Sequence, residues 1–595
     1  MIILGINEDH NGTAALIKDG EVLYAASKER ISRKKNDVGY PFETIAEAFK
    51  ETGIKPGEVD FVAYTGNYTD PLQMKIKKIT TFKIPDYLRE MHEYWKPVLL
   101  ENKTSSFWED MMKDERFNVS EKESYDFGFM KTEPREKWDE AFNKERVKAV
   151  VKQTGISPER VLFINHHLCH ASYAYYASPV DRSKKIGVIT ADGWGDGENA
   201  SVCIAENGKL KKVHGTAMCN LARIYRYITL LLGMKPFEHE YKVMGLAPYA
   251  KDYISEPAYE VFKETLVADG IDFKWNKKPS DMYFYFKDKL EGVRFDGIAG
   301  GLQKWTEEVL VGWAKNVLSH LQVDSLVFSG GLAMNVKANK SLGEIDGLNY
   351  FFVPASGGDE STAIGAAFAV SAEKGVAPKT PTNVYLGYAI TDDEIKELIA
   401  KYNIADKYEI IYGASSAQVS DLLVKNKIVA RCVGRGEFGA RALGNRSILC
   451  HPSNFDNIRL INDKIKYRDF WMPFTPSILD YRAKDYLVNP KNLKSPFMTL
   501  AFDTTPLGQE HLKAAIHPAD FTARPQVLEK EANSEYYELI QEFEKATGVG
   551  VVLNTSFNLH GEPIVRGAED AWHTFTESDL DALLLNGTLI IKKTS

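Results

Sequence analysis

The chain is poor in the features that mark secreted, membrane-bound or nucleic-acid-binding proteins. Its 595 residues include five cysteines, Cys169, Cys203, Cys219, Cys432 and Cys450. The number is odd and no C-x-x-C spacing occurs, which argues against both a disulfide framework and a structural zinc module. No apolar run approaches the roughly 20 residues needed to cross a bilayer. The opening MIILGINEDH lacks a basic segment before its short apolar run, so it reads as a strand and not as a signal peptide. Positive charge is in the minority, with 74 Lys and Arg against 82 Asp and Glu and a formal net charge of −8. A nucleic acid or an anionic membrane is therefore not expected as the main partner. The expectation is a cytoplasmic protein.

Among the features present, one stands out. In INHHLCHASYAYYAS, His166 and His170 lie four residues apart, and the glycine-punctuated acidic segment ADGWGDG follows from Ala191 to Gly197. On a helix, this spacing puts two imidazoles on one face, where they can hold one divalent metal, and a glycine turn can offer backbone N–H groups to phosphate. Two histidines so spaced can equally form a partly buried polar edge. The zinc-peptidase motif H-E-x-x-H is excluded, because His167 stands where the general-base glutamate belongs.

Length alone suggests three or four folding units, at about 100 to 200 residues each. The N-terminal half reads as a worn duplication. Residues 2–27 run strand, polar turn (EDHNG), strand (TAALI), tight turn (KDG), strand; residues 186–215 repeat this as IGVIT, ADGWGDG, ASVCIA, ENG and KLKKVHG. Two such halves suggest a nucleotide cleft. DSLVFSGGLAMNVKANKSL adds a buried strand, a Gly330-Gly331 turn and a helix whose N-terminus can face an anion. In FFVPASGGDESTAIGAAFAV, Asp359 sits at a loop-to-helix junction, where a carboxylate can cap the helix, ligate a metal, or do both. Residues 67–152 are rich in charged and aromatic residues and read as a helical insertion whose charges face solvent. The polar, proline-bearing EKGVAPKTPT marks a boundary, giving an N-terminal domain of 1–372 and a C-terminal domain of 383–595.

The C-terminal half carries a basic constellation. GRGEFGARALGNRSILCHP places Arg435, Arg441 and Arg446 in a glycine-rich loop after a strand; Lys466, Arg468 and Arg524 add to it, and Ser556 ends the buried strand of LNTSFN. Guanidinium groups bind phosphate and carboxylate oxygens through paired hydrogen bonds, so the expected role is an oxyanion cradle. Each arginine taken alone can equally pair with a surface carboxylate.

With these strings in view, the chain resembles the NodU/CmcH-type O-carbamoyltransferase family over nearly its whole length. The resemblance rests on DHNGTAAL, KERISRKKND, NHHLCHASYAYYASP, EHEYKVMGLAPY, FSGGLAMNVKAN, GRGEFGARALGNRSIL and LNTSFN. Departures are small: Ala222 where glycine is common, Asn220 in the nearby turn, and the longer insertion before His166.

The resemblance implies an α/β protein with a duplicated actin/Hsp70-type (ASKHA) ATPase-like N-terminal domain and a YrdC-like α/β C-terminal domain. It implies that carbamoyl phosphate and ATP, the latter with Mg2+, give carbamoyl-adenylate in the C-terminal domain. The N-terminal domain then transfers the carbamoyl group to a hydroxyl of a small-molecule natural product. His166, His170 and Asp359 would ligate a divalent metal, Fe2+ by family likeness, and His10 would be the general base. Asp192, Gly193, Gly330, Gly331 and Asn335 would surround the adenylate. Arg441, Arg446, Lys466, Arg468, Arg524 and Ser556 would bind carbamoyl phosphate and ATP. A homodimer is compatible with this reading, and the sequence does not name the acceptor.

Two other readings compete with it. A kinase or ATPase of the actin-like class would use the duplicated turns but leave the histidine pair and the arginines unexplained; release of ADP in place of AMP would mark it. A non-catalytic nucleotide sensor would not need intact His10, His166, His170 and Asp359. Hydrogenase-maturation carbamoyltransferases share both folds but carry C-x-x-C zinc modules, which this chain lacks.

Overall fold

The computed structural model describes residues 1–117, 125–466 and 468–593. The chain forms two compact units and not the three or four that length alone suggests. Unit 1 comprises Met1–Leu23, Ser27–Glu29 and Asn36–Thr380, and unit 2 comprises Tyr24–Ala26, Arg30–Lys35 and Pro381–Ser595.

Unit 1 is a duplicated α/β structure. Its first sheet contains β1 (Ile2–Asn7), β2 (Thr13–Lys18), β3 (Glu21–Ser27), β4 (Phe61–Thr65) and β5 (Val161–Ile164) in the order β3-β2-β1-β4-β5. Its second contains β6 (Ile186–Gly195), β7 (Glu198–Glu206), β8 (Lys209–Thr216), β11 (Ser325–Ser329) and β12 (Tyr350–Phe352), ordered β12-β11-β6-β7-β8. A separate hairpin, β9 (Leu266–Asp269) and β10 (Asp272–Trp275), lies between them in sequence. Taken from its other edge, the second sheet has the strand order of the first. In each copy the central strand pairs antiparallel with the next strand (β1 with β2, β6 with β7) and parallel with a later one (β1 with β4, β6 with β11). The central strands are apolar and buried, whereas the edge strand β8, KLKKVHGT, carries exposed lysines that discourage edge-to-edge pairing.

One helix explains why the two copies behave as a single unit. Thr362–Glu373 follows the second sheet, yet it lies against β1, β2 and β4 of the first and against the helix His166–Ala177. Gly5 and Gly365 permit that approach: a Cβ at Gly5 would overlap the Ala363 carbonyl, and one at Gly365 the Cys169 carbonyl.

The segment read as an insertion is helical where described, with Ile84–Arg89, Phe107–Met111 and Trp138–Thr154 among its helices; residues 118–124 fall outside the described residues. It has an aromatic core of its own that includes Phe82, Tyr87, Phe107 and Phe117, joined by Leu230 of the helix Leu221–Leu231. Most of its charges are exposed, but Arg146 is completely buried.

Unit 2 is built on an eight-stranded sheet. In sequence its strands, with one small ribbon, are β13 (Tyr408–Tyr412), β14 (Val429–Cys432), β15 (Arg446–Cys450), β16 (Thr475–Leu479), β17 (Leu487–Val488), β18 (Asp503–Thr504), β19 (Gln526–Leu528), β20 (Val551–Ser556), β21 (Ala582–Leu585) and β22 (Thr588–Lys592). The sheet order is β13-β22-β21-β14-β15-β20-β16-β19, with β17 and β18 paired separately. Its core includes Ala430, Ile448, Leu553, Phe575 and Leu583. Among the described residues no helix of the protein is long and apolar enough to cross a membrane.

Candidate active site

The helix His166–Ala177 starts at the first of the paired histidines. Asn165 caps it, its side chain accepting from the Leu168 N–H at 3.1 Å, and the Asp196 carboxylate accepts from the His166 N–H at 2.7 Å. The ring Nε2 atoms of His166 and His170 are 3.1 Å apart. The carboxylates of Asp192 and Asp359 close on them: Asp192 lies 3.0 Å from His166, and Asp359 lies 3.3 Å from His170. One donor atom from each of the four residues lies within 4.8 Å of every other, a spacing that one ion can span.

Two imidazoles and two carboxylates suit a divalent transition metal, so the residues fit the expected cofactor. Beyond the cluster, the Ser329 hydroxyl is 3.4 Å from His170 Nδ1, and Gly331 N–H donates to Asp192 Oδ1 at 3.0 Å. Such outer contacts orient ligands. A Cβ at Gly195 would overlap the His166 ring, so glycine is needed there.

Burial lowers the His166 pKa, but the hydrogen bond to Asp192 and the charges of Asp359, Asp192 and Asp9 outweigh it and raise the pKa to about 9. Burial acts upward on Asp192, and its bonds to both histidines overcome this to hold it well below the usual carboxylate range. The middle histidine behaves differently. His167 is buried on another face, with Nδ1 2.8 Å from the Thr190 hydroxyl, and burial together with its two charged neighbours lowers its pKa to about 3. It is a packing residue.

Asp192 is the main revision to the sequence reading. Expected near an adenylate, it lies with the metal-ligand candidates, because β6 runs on to Gly195 with a bulge where ADGWGDG suggests a seven-residue turn. Gly193 lies under the Arg226 guanidinium, which a Cβ would overlap. Gly330, at φ +98°, lies where a Cβ would overlap the Ala191 carbonyl, so this turn demands glycine. Asn335 caps the helix Val336–Gly343 and exchanges two hydrogen bonds with Gln303, at 2.9 and 3.0 Å. Its side chain is committed to structure. Asp359 does not cap the helix Thr362–Glu373, whose N-cap is Ser361. Its carboxylate faces the histidines.

The turn after β1 brings further groups. His10 Nε2 is 3.1 Å from the Phe237 carbonyl. Asp9, which the sequence reading passed over, accepts from Gln73 Nε2 at 2.8 Å. Burial first, then the Asp359 charge, raises its pKa to about 7 against the opposing pull of His166. Glu8 is buried against Arg146 at 2.6 Å and accepts from the Tyr125 hydroxyl. Arg146 in turn donates to the Thr65 and Gly66 carbonyls at 3.0 and 3.2 Å and stacks on Tyr64 and Phe163. The insertion thus fixes the turn that carries His10.

Unit 2 collects positive charge. Lys466 is buried, and its ammonium donates to Asn558 Oδ1 at 2.8 Å, the Asn558 carbonyl at 3.0 Å, Ser556 Oγ at 3.2 Å and the Ser556 carbonyl. All four acceptors are neutral. Burial, then the charges of Arg468 and Lys35, hold this lysine well below its usual range. Burial and the charges of Arg441 and Arg468 lower Arg524 to about 9, with Asp520 opposing. Lys35, at the end of the stretch Arg30–Lys35 that belongs to unit 2, was not among the expected site residues.

Arg446 must be removed from the cradle. Its five N–H groups donate to the carbonyls of Arg566, Val433, Asn445, Tyr388 and Gly434 at 2.8 to 3.1 Å, leaving none for a ligand.

Residues 2–368 match the carbamoyltransferase N-terminus model and residues 420–592 the carbamoyltransferase C-terminus model. The chain belongs to the carbamoyltransferase family and is a carbamoyltransferase. It is 31% identical to an uncharacterized protein of Methanocaldococcus jannaschii over 609 residues, covering 99% of this chain and 100% of the relative. It is 29% identical to the nodulation protein NolNO of Sinorhizobium fredii, covering 98% of this chain and 79% of that protein. Among solved structures, full-length HypF in its phosphate- and nucleotide-bound form is 11% identical, covering 64% of this chain and 56% of its own length, at a TM-score of 0.35.

Proposed function

We propose that the protein is an ATP-dependent O-carbamoyltransferase that works through carbamoyl-adenylate. In unit 2, carbamoyl phosphate and water give carbamate and phosphate; a carbamate oxygen then attacks the α-phosphorus of ATP, and diphosphate leaves. In unit 1, an acceptor hydroxyl attacks the carbamoyl carbon, the mixed-anhydride bond breaks, and AMP leaves with the O-carbamoyl product. The acceptor is a small-molecule natural product. The observation that carries this reading is the His166, His170, Asp192 and Asp359 cluster, in a chain whose other unit holds a buried lysine among neutral acceptors and arginines.

The residues have separable tasks. A carbonyl only accepts, so His10 Nε2 carries the proton bonded to Phe237 and Nδ1 of the neutral ring holds the lone pair. Nδ1 is therefore the atom that removes the acceptor's proton. Held by His166, His170, Asp192 and Asp359, a divalent metal such as Fe2+ supplies Lewis acidity toward phosphate or carbamoyl oxygen. Gly331 N–H and Ser329 keep its ligands in place. In unit 2, Lys466, Arg441, Arg468 and Arg524 neutralise the phosphates of the two substrates, with Mg2+ accompanying ATP, and Ser556 positions Lys466.

The test is product analysis with carbamoyl phosphate, ATP and Fe2+. AMP, diphosphate and phosphate in equal amounts, with a gain of one carbamoyl group on a hydroxylated acceptor, support the reading. Release of ADP would place the protein among kinases or ATPases.

A further inference from the structure

We propose that Arg226, backed by Arg223, is an anion subsite for the acceptor, so that the molecule carbamoylated is a hydroxyl compound bearing a carboxylate, sulfate or phosphate group. The inference rests on the carbamoyl-transfer reading above and deepens it by naming the acceptor's class.

Both arginines lie on the helix Leu221–Leu231, one turn apart. The Arg226 guanidinium stacks on Phe237, 3.6 Å from the ring centroid, and Arg223 stacks on the half-exposed Trp194 at 4.9 Å. Among the described residues neither forms an ion pair or a hydrogen bond. Glu240 is the carboxylate whose charge acts with Arg226, and its Oε1 is occupied by the Phe237 N–H at 2.7 Å. Two partly buried guanidinium groups on one face repel each other; burial and the Arg226 charge hold Arg223 below the usual arginine range.

The position is specific. Phe237, on which Arg226 rests, is also the residue whose carbonyl holds His10. Gly193, directly beneath Arg226, is the neighbour of Asp192 in the metal-ligand cluster. The subsite therefore adjoins both the base and the ligands. A second, independent observation points the same way: the Tyr87 hydroxyl is buried and has no hydrogen-bond partner, its ring is 6.3 Å from Phe237, and Arg226 is among the charges acting on it. A buried, unpartnered hydroxyl is costly unless a ligand completes it. One oxygen of an oxyanion can accept from Tyr87 while others accept from the guanidinium.

The test uses D-glucuronate and D-glucose, which differ by one carboxylate, as probes on the wild-type protein, Arg226→Gln and Arg226→Lys. Ligand-observed NMR without ATP reports binding free of any turnover. Expected are contact with glucuronate but not glucose at about 10 mM, loss of at least about tenfold in affinity in Arg226→Gln, and partial rescue in Arg226→Lys. Equal behaviour of the two sugars, no contact with glucuronate, or an Arg226→Gln protein that binds glucuronate as wild type does would each overturn the proposal. Displacement of glucuronate by AMP would also overturn it, assigning Arg226 to the adenylate phosphate. Failure of carbamoyl-adenylate formation is read separately, from diphosphate release, and bears on the transfer reading alone.

Discussion

The two charged sites are built in opposite ways. In unit 1, two imidazoles and two carboxylates converge until their donor atoms lie within 4.8 Å of each other. In unit 2, a buried lysine has only neutral acceptors and feels two other cations. In unit 2, like charges brought together in a low-dielectric interior cost free energy that a bound anion can offset; in unit 1, a divalent cation can take the place of the protons that the imidazoles hold between the carboxylates. On the proposed reading the first site takes a cation and the second an anion, as a metal-assisted transfer and a reaction between two phosphorylated substrates would require.

The largest effect expected from breaking this contrast is at the metal ligands. His170→Ala should lose the bound metal, measured by elemental analysis, and lower carbamoyl transfer by about 1000-fold, while diphosphate release from ATP persists. The mirror-image change, Lys466→Met, should keep the metal but cut carbamoyl phosphate-dependent diphosphate release by about 100-fold or more. If His170→Ala stopped diphosphate release, or if Lys466→Met stopped transfer from supplied carbamoyl-adenylate, the division of labour would be wrong.

A smaller effect sharpens the contrast through pH. Without metal, His166 is protonated up to about pH 9, so metal and proton compete for it. As the pH rises from 7 toward 9 that proton is held less and less, and metal affinity should rise by about tenfold per unit, levelling off above about 9, in a competition titration. A pH-independent affinity would mean that His166 is not a ligand. The sign for stability is the reverse: a folded pKa above the unfolded value of about 6.5 stabilises the metal-free protein below that pH, and the contribution is lost as pH rises through about 9.

Two stability tests complete the series. Arg146→Met leaves Glu8 buried without its cation and should cost about 3 to 5 kcal/mol in chemical denaturation. Arg446→Lys leaves backbone carbonyls in unit 2 without donors and should cost about 1 to 3 kcal/mol without raising the KM for carbamoyl phosphate. A rise in that KM alone would return Arg446 to the cradle.

What the sequence revealed followed the range of the interactions. The duplicated strand grammar was legible because each strand and hairpin turn is local. His166 and His170 were legible because the helical period places them on one face, and Asp359 because it ends a loop at a helix. The place of Asp192 beside the histidines was not legible, because glycines and acids suggest a turn, whereas pairing with β7 carries β6 through them. Arg446 was misassigned because a count of arginines in a glycine-rich loop does not reveal that one side chain turns inward to five carbonyls. The Glu8–Arg146 pair, Lys35 beside Lys466, and Arg226 over Gly193 join residues distant in sequence. No local pattern encodes such partners.

The central claim is tested most directly by locating the metal. In crystals of the Fe2+-loaded protein, an anomalous difference map at the iron edge should show one peak in unit 1 within bonding distance of His166 Nε2, His170 Nε2, Asp192 and Asp359, and the peak should vanish in Asp359→Asn. No peak there, or iron held by other residues, would contradict it.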